Sequence, residues 1–529
     1  MNLPFTGPAD TLSPTGGEGW GEGARFMESP LSIYRLHWDH EPTWTRLGCI
    51  CNTNLSMRFD RFMGRGVSHC VLAILCSLLV AFGAVSAAAA SSKPNIVLIL
   101  ADDLGWADVG WHGSEIKTPH LEKLAHAGAR LEQFYVQPVC SPTRAALLAG
   151  RYPMRHGLQV GVVRPWAQYG LPLEERTLPQ ALQEAGYTTA IVGKWHLGHF
   201  RPEYLPTRRG FDHQYGHYNG ALDYFTHRRD GGFDWHRDDR VCRDEGYTTH
   251  LIAREAVRLV REQPKDKPLF LYVAFNAVHA PHQVPEEYKQ PYQRLPEPRR
   301  TYAGMLAAMD EAIGQIVAAI DDRGLRSNTL FLFSSDNGGP QPGKVTSNGS
   351  LRAGKGTLYE GGLRVPAFAT WSGQINPGTV VNQPLHIADW YPTLLKLAGA
   401  PSKQKLPLDG RDMWATITRG APAPHDAILL NATPAKGAIR VGDWKLILNG
   451  AAPEADEDTA GAAARGRDRV ELFNLAQDPD EKTNLAEEHP DRVKTLRARY
   501  AAFANEAVPP KSRPKQKNFK APAVWGEAQ

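Results

Sequence analysis

The sequence predicts an α/β fold, with a large, mostly parallel central sheet sandwiched by helices and a smaller C-terminal α+β unit. Four short, continuous apolar runs are typical of strands that are buried on both faces. Helical patterns alternate with these runs, as expected when helices cover both sides of a parallel sheet. After about residue 410 the segments become shorter, which marks the second unit.

Length and composition agree with this prediction. The chain has 529 residues, of which 42% are hydrophobic and 22% are charged. That length is enough for a large core and a second unit, and the composition excludes collagen-like, disordered and coiled-coil chains. The net charge is only +4, so nothing indicates the basic face of a nucleic-acid binder, and no nucleic-acid partner is expected.

An apolar run, Cys70–Val85, lies near the start of the chain, with three arginines before it and small residues after it. This order predicts a signal peptide over residues 57–90 and an exported protein without a stable membrane span after cleavage. A single membrane anchor is the alternative, because the apolar stretch nearly reaches the ~20 residues that a span needs. Residues 1–56 precede the signal peptide and are predicted to be a non-native extension, with Met57 or Met63 as the initiator.

The elements of the first unit, residues 93–410, follow in order. The predicted strands are Asn95–Leu100, Thr188–Val192, Leu269–Phe275 and Thr329–Phe333. The predicted helices are Thr118–Ala129, Leu178–Glu184, Tyr247–Arg261 and Tyr302–Arg323. Pro119 suits the first turn of its helix, whereas Gly186, Pro264 and Gly324 follow the ends of the other three.

The pattern of short strands and one helix in residues 411–508 predicts the smaller α+β unit. Ala438–Leu448 and Val470–Phe473 are expected to form antiparallel strands around a low-complexity loop. A helix over His489–Ala504 follows. Residues 509–529 are predicted to be a polar tail.

Polar side chains follow each of the four strands. They are, in chain order, Asp102 and Asp103, Lys194 and His196, His279 and His282, and Asp336 and Asn337. Ligands bind at the carboxyl ends of the strands in open α/β sheets, so we expect these side chains to share one edge. Each feature alone has a plainer explanation, such as a helix cap or an Asx turn. Their occurrence after all four strands favours a functional site.

Four of these side chains offer oxygen ligands, namely Asp102, Asp103, Asp336 and Asn337. Oxygen ligands suit Ca²⁺ or Mg²⁺ and argue against zinc or copper. Adjacent carboxylates repel each other, and a bound cation removes that repulsion. The sequence therefore predicts a site for a hard divalent cation.

Cys140 lies at the predicted start of a helix that Ser141 caps, with Pro142 at its first position and Gly150 after its end. Helix N-termini attract anions, and Arg144 adds a permanent positive charge. These neighbours predict a reactive thiolate with a lowered pKa. A buried structural cysteine is the plainer alternative.

The segment around Cys140 resembles the sulfatase signature, Cys-x-Pro-x-Arg followed by Ala-Ala-Leu-Leu-x-Gly-Arg, and Gly193–Gly198 resembles the second signature of that family. Leu205–Asp212 and Val284–Tyr288 are similar to the arylsulfatase B branch, the N-acetylgalactosamine-4-sulfatases. The resemblance covers residues 93–410 well and the C-terminal unit loosely. It implies an alkaline-phosphatase-like fold and a hydrolase that cleaves sulfate from an aryl sulfate or a sulfated sugar.

The resemblance also implies residue roles. A maturation enzyme would oxidise Cys140 to formylglycine (3-oxoalanine), whose hydrate is the nucleophile. Ca²⁺, or alternatively Mg²⁺, would be held by Asp102, Asp103, Asp336, Asn337 and residue 140. Arg144 would steady the hydrate, Lys194, His279 and Lys355 would bind the sulfate oxygens, and His196 would assist collapse of the sulfated intermediate.

One departure concerns the cysteines. Lysosomal members of the family carry several disulfides, whereas only Cys140 and Cys242 remain here once residues 1–90 are removed. Two cysteines exclude a disulfide framework. Together with the signal peptide, this predicts a periplasmic or secreted bacterial enzyme.

Three other functions stay open at this point. A phosphonate monoester or phosphodiester hydrolase of the same superfamily can use a similar nucleophile. A nucleotide hydrolase is suggested by Gly349–Gly356, which nearly matches a P-loop but has Gly356 in place of the Mg²⁺-binding Ser or Thr. A non-catalytic binder of sulfated glycans would have no need for Cys140.

The segment Trp195–Arg229 is rich in basic and aromatic residues, and it is either an anionic-sugar pocket or an ordinary loop. The residues in question are Arg201, Arg208, Arg209, His213, His217, Tyr218 and Tyr224.

Overall fold

The computed structural model describes residues 93–433, 436–450 and 469–527. The predicted signal peptide, the N-terminal extension and the low-complexity loop lie outside the described residues. The strands are β1 Asn95–Ala101, β2 Ala129–Leu131, β3 Phe134–Tyr135, β4 Thr188–Lys194, β5 His213–His217, β6 Arg228–Arg229, β7 Gly232–Phe233, β8 His236–Arg237, β9 Arg240–Val241, β10 Leu269–Ala274, β11 Thr329–Ser335, β12 Arg364–Val365, β13 Ala367–Thr370, β14 Thr379–Val381, β15 Leu385–His386, β16 Ile428–Ala432, β17 Gly437–Val441, β18 Trp444–Leu448 and β19 Val470–Asn474. The α-helices are α1 Pro119–His126, α2 Cys140–Ala149, α3 Leu178–Glu184, α4 Thr248–Glu262, α5 Arg299–Asp322, α6 Glu360–Leu363, α7 Trp390–Leu397, α8 Trp414–Arg419 and α9 Pro490–Ala504.

A ten-stranded sheet forms the centre of the first unit, in the order β14-β2-β13-β11-β1-β10-β4-β5-β8-β9. The four strands predicted from apolar runs occupy its middle as β11, β1, β10 and β4, and all of them are parallel. β13 runs antiparallel to both of its neighbours. The mostly parallel sheet of the prediction is confirmed.

Side chains of β1 alternate between two apolar layers, which explains why its sequence is continuously apolar. Ile96, Leu98 and Leu100 pack in the layer that contains α2, α3 and α7. Val97 and Ile99 pack in the layer that contains α1, α4 and α5. α5 is the one described helix long and apolar enough to cross a membrane, but most of its residues are buried in this core.

A second, antiparallel sheet contains β16, β17, β18 and β19 in that order. The segment predicted as a single strand, Ala438–Leu448, is a hairpin, because the chain reverses at Gly442, where φ is 58°. Leu496 and Tyr500 of α9 pack on one face of this sheet. The other face packs against Tyr135 and Leu363 of the first unit.

A buried polar cluster also joins this sheet to the first unit. Lys445 Nζ of β18 lies 2.9 Å from Glu360 Oε1 and 2.8 Å from Glu481 Oε1. Burial raises the pKa of Glu481 to about 7, with Glu360 adding to the effect and Lys445 opposing it. Two carboxylates therefore share one ammonium group, and the pKa values of the two move apart.

Candidate active site

The carboxyl ends of β1 and β11 bring the thiol and the predicted oxygen ligands together. Cys140 Sγ donates to Asp102 Oδ1 and to Asn337 Oδ1, each at 3.4 Å. Asn337 Nδ2 donates to Asp103 Oδ1 at 2.7 Å, and the backbone N–H of Asp103 donates to Asp336 Oδ1 at 3.3 Å. All five residues are buried. The prediction of one shared edge is confirmed for Asp102, Asp103, Asp336 and Asn337.

Cys140 is the first residue of α2, so Val139 rather than Ser141 precedes the helix as its cap. The predicted Ser141 cap is wrong because the hydroxyl is used elsewhere. It donates to His196 O and accepts from the backbone N–H of Val163, each at 2.9 Å. The predicted end is confirmed, since Gly150 follows α2 in the left-handed conformation (φ 65°).

The pKa predicted for the thiol is also wrong in direction. Burial, and then the carboxylates of Asp102 and Asp336, raise the pKa of Cys140 well above its usual range. The helix N-terminus and the nearby cations favour a lower pKa. Their effect is outweighed, because the thiol is buried away from water and faces two negative charges.

Arg144 lies one turn after Cys140 and holds Asp336 in place. Its Nε and Nη2 donate to Asp336 Oδ2 at 3.0 and 2.8 Å, and its Nη1 donates to Lys194 O at 3.1 Å. The guanidinium and both partners are fully buried. Arg144 therefore ties α2 to the ends of β11 and β4.

Lys194, the last residue of β4, points its ammonium group at Asp102, with 2.5 Å between Nζ and Oδ2. Gly193 allows the close strand approach just before it. Its φ is 112°, and a Cβ there would lie 1.9 Å from Ala274 O of β10. Burial, together with the charge of Asp336, raises the pKa of Asp102, and Lys194 opposes that shift.

Lys355 and His279 face the second carboxylate, Asp103. Lys355 Nζ lies 2.9 Å from Asp103 Oδ1 and 3.2 Å from His279 Nε2. His279 Nδ1 lies 2.5 Å from Ala280 O, so Nδ1 carries a proton, because a carbonyl oxygen only accepts. Burial alone would raise the pKa of Asp103, but Lys355 and His279 lower it to about 2.

These residues can hold a metal ion. Asp102, Asp103, Cys140 and His279 each offer one ligand atom, and these four atoms lie within 4.8 Å of one another. Asn337 Oδ1 points at the same thiol. The carboxylate and amide oxygens fit a hard divalent cation, as the sequence predicts.

Comparison with known proteins identifies the family. The Sulfatase family model matches residues 94–400. Arylsulfatase J of Mus musculus is 38% identical over 487 residues, which cover 83% of this chain and 81% of that protein. The chain belongs to the sulfatase family. It is an enzyme that hydrolyses sulfate esters.

Two other proteins resemble this sulfatase. N-acetylgalactosamine-6-sulfatase of Rattus norvegicus is 36% identical, with 66% of this chain and 70% of that protein covered. The crystal structure of Ps i-CgsB in complex with k-i-k-neocarrahexaose is 32% identical. It has a TM-score of 0.71 and covers 79% of this chain and 94% of that one. The alkaline-phosphatase-like fold expected from the resemblance is thereby supported over most of the described chain.

His196 leaves the extended direction of β4, because its φ is 59°. Lys194 and His196 would share one face only if the backbone stayed extended. Its imidazole Nε2 lies 3.1 Å from Val163 O, while its carbonyl accepts from Ser141. The backbone of His196 therefore contacts Ser141, the residue after Cys140 in this sulfatase. Its predicted role in catalysis stays a prediction.

The interpretation of Trp195–Arg229 as a sugar pocket is wrong for four of its residues. Arg209, His217, Tyr218 and Tyr224 are buried. Arg209 donates to three backbone carbonyls, and His217 stacks on Trp235. These residues stabilise loops because their polar atoms face the protein interior.

Two residues of the site were not identified as supports from the sequence. Tyr224 OH donates to Asn276 O at 2.6 Å and to His279 O at 2.8 Å, so it holds the loop that carries His279. Ser335 Oγ accepts from the backbone N–H of Leu104 and donates to Asn337 O. The Ser-Ser pair before Asp336 was the only sequence signal for Ser335, and it predicts no particular contact.

Proposed function

We propose that this sulfatase is an exported enzyme that removes sulfate from a sulfated sugar, using formylglycine made from Cys140 and a bound Ca²⁺ ion. The observation that carries the proposal is the position of Cys140 Sγ at the N-terminus of α2, 3.4 Å from both Asp102 Oδ1 and Asn337 Oδ1. Nucleophile and cation ligands thus meet at a helix end that attracts anions.

Ca²⁺ fits the donor set because it accepts about 6–8 oxygen ligands in relaxed geometry. Asp102, Asp103, Asp336, Asn337 and residue 140 would hold it. When bound, the cation supplies positive charge that stabilises negative charge on the ester oxygens. Mg²⁺ is the alternative, and it demands stricter octahedral geometry.

The side chains around residue 140 are arranged to bind a sulfate group. Lys194 and Lys355 bring two positive charges, and His279 Nε2 lies 3.2 Å from Lys355 Nζ. We propose that these three bind the sulfate oxygens, because fixed cations in a dry site stabilise charge that develops in the transition state. Arg144 keeps Asp336 in place through two of its donors.

Formylglycine supplies a hydrated aldehyde with two hydroxyl groups on one carbon, whereas a serine supplies one. A formylglycine-generating maturation enzyme is therefore a required partner. The buried position of Cys140, 1% exposed, implies that this partner acts on the segment before the chain has fully folded.

A sulfated sugar is the proposed substrate class for two reasons. One relative is named N-acetylgalactosamine-6-sulfatase, and the solved structure of Ps i-CgsB holds k-i-k-neocarrahexaose. A phosphonate monoester hydrolase, at 22% identity and a TM-score of 0.53, shares the fold alone.

Two measurements test the proposal. Mass spectrometry of the tryptic peptide Leu131–Arg144, from protein made with a maturation enzyme, should show an aldehyde in place of the thiol. Initial rates should then be compared on p-nitrophenyl sulfate, N-acetylgalactosamine 4-sulfate and 6-sulfate, a phosphonate monoester and a phosphodiester. We expect a sulfate ester to be preferred. Active protein that carries only the thiol would refute the nucleophile, and a preferred phosphonate would refute the substrate.

Cys140→Ser serves as the matched variant. It keeps an oxygen-bearing side chain at the same place but offers one hydroxyl only. We expect an unchanged unfolding transition with loss of turnover, and a stoichiometric mass increase on the serine peptide if sulfate is trapped. Full turnover by this variant would contradict the need for formylglycine.

A further inference from the structure

The C-terminal segment, predicted as a polar tail, follows an ordered path along the first unit. At its start, Lys511 donates its backbone N–H to Gly157 O at 2.8 Å, and Trp166 Nε1 donates to Arg513 O at 3.2 Å. These contacts place the segment along the loop that contains residues 156–166.

The C-terminal end of the segment is also held by hydrogen bonds. Phe233 of β7 donates its backbone N–H to Ala523 O and accepts from that of Trp525, each at 2.9 Å. Trp525 Nε1 donates to Arg229 O at 2.9 Å, and only 2% of this side chain is exposed. Residues 509–527 therefore form a strap, which hydrogen bonds fix to the rest of the chain at both ends.

Aromatic rings connect the two ends of the strap. Ring centroids are 6.2 Å apart for Trp166 and Phe519, 6.3 Å for Phe519 and Trp525, and 5.5 Å for Trp525 and His199. The row runs from the 156–166 loop to the loop after β4.

The same two loops contact Cys140 and its neighbour Ser141, respectively. Val162 packs against Cys140. Val163 donates its backbone N–H to Ser141 Oγ at 2.9 Å, and its carbonyl oxygen lies 3.1 Å from His196 Nε2. The strap thus borders the loops that surround the catalytic centre.

The strap is strongly basic. Its charged side chains are Lys511, Arg513, Lys515, Lys517 and Lys520, with Glu527 as the one carboxylate near its end. Arg513 and the last three lysines are exposed. Lys515 Nζ lies 5.3 Å from the ring centroid of Trp166 and 5.7 Å from that of Phe519.

Exposed cations beside aromatic rings match the chemistry of a sulfated sugar. A ring packs on the apolar face of a sugar, while an ammonium group pairs with a sulfate. A row of such groups fits a chain of sulfated sugars better than a single one, since like charges along a strap repel each other until a polyanion neutralises them.

We propose that residues 509–520, together with Trp166, bind the sulfated polysaccharide around the sugar whose ester is cleaved. This inference rests on the proposed function and extends it from one sugar to a chain. The strap then acts on substrate binding, not on the chemical step.

The test compares a long and a small substrate in one double variant. K515A/K517A should raise the KM for chondroitin sulfate about 3- to 10-fold, the effect of losing two exposed ion pairs. It should leave the KM and kcat for p-nitrophenyl sulfate unchanged. Added salt should weaken chondroitin sulfate binding more steeply in the parent than in the variant.

K265A/K267A is the matched control, because it also removes two positive charges from exposed lysines. Both lysines lie in the loop before β10, at the amino ends of the parallel strands and away from the edge that carries Cys140. We expect no change in KM for either substrate. An unchanged KM for chondroitin sulfate in K515A/K517A, or an equal rise in the control, would overturn the proposal.

Direct binding separates this proposal from the proposed function. If no sulfate ester is hydrolysed, the proposed function fails, and the strap is then tested by titrating parent and variant with chondroitin sulfate and with poly-glutamate. Weaker binding of the variant to chondroitin sulfate alone supports the strap as a glycan surface. Equal weakening for poly-glutamate, or no weakening, overturns it.

Discussion

Replacing Tyr224 with phenylalanine removes one buried hydroxyl that supports the His279 loop. Tyr224 OH donates to both Asn276 O and His279 O, at 2.6 and 2.8 Å. The side chain is 1% exposed, so water does not replace the lost donor without rearrangement. Tyr224→Phe keeps the ring and its packing, and the change is confined to these contacts.

The expected magnitude follows from the two acceptors. A buried acceptor that loses its partner costs about 1–3 kcal/mol. Asn276 O keeps a second donor, the backbone N–H of His279 at 3.0 Å. We therefore expect a total loss of about 2 kcal/mol in the free energy of unfolding. Because any shift of this loop also moves His279, kcat/KM for p-nitrophenyl sulfate should fall by about 10-fold.

Tyr218 offers the matched control. It is as buried as Tyr224, but its hydroxyl has no hydrogen-bond partner within the described part of the chain. Urea unfolding of Tyr218→Phe should show no loss of stability, and its kcat/KM should match that of the parent. The reasoning is refuted if Tyr224→Phe unfolds within about 0.5 kcal/mol of Tyr218→Phe, or if both variants lose activity equally.

Three further predictions concern charge. Burial raises the pKa of Glu481 from an ordinary 4.5 to about 7, so between these pH values the folded protein holds a proton that the unfolded chain has released. The stability that this proton contributes is fully present below pH 4.5 and is lost as the pH rises through 7. Urea unfolding of Glu481→Gln should therefore show a flatter pH dependence over that window. Arg144→Lys keeps the charge but cannot reproduce three donors, and should cost about 2 kcal/mol by thermal unfolding and most of the activity, whereas near-parent rates would show that the fork to Asp336 is dispensable. Chelation of divalent cations should abolish hydrolysis and lower Tm, and Ca²⁺ should restore both, an outcome contradicted by full activity in exhaustively chelated protein.

Sequence patterns were sufficient where a local signal has one structural meaning. Continuous apolar runs predicted β1, β4, β10 and β11 because a strand buried on both faces has no polar alternation to show. Polar residues directly after these strands predicted the shared edge, since parallel strands end on the same side. The signature around Cys140 then predicted the family.

Tertiary structure decided what depends on burial and on distant partners. The pKa of the Cys140 thiol is raised because the fold buries it and because Asp102 and Asp336, which follow two different strands, face it. Ser141 does not cap the helix, because its hydroxyl bonds the carbonyl of His196 and the backbone N–H of Val163. Neither effect is encoded within one turn of the helix.

The same distinction holds for the strap and for Tyr224. Their sequences show only basic and aromatic composition, which suits a solvated tail or a sugar pocket equally well. The fold buries Tyr224 under the His279 loop and fixes residues 509–527 to two loops that border Cys140 and Ser141. The sequence by itself determined that polar side chains follow the parallel strands at one edge of the sheet, and which chemical groups they are. Burial, which depends on every neighbouring element at once, determined what each of those groups can do.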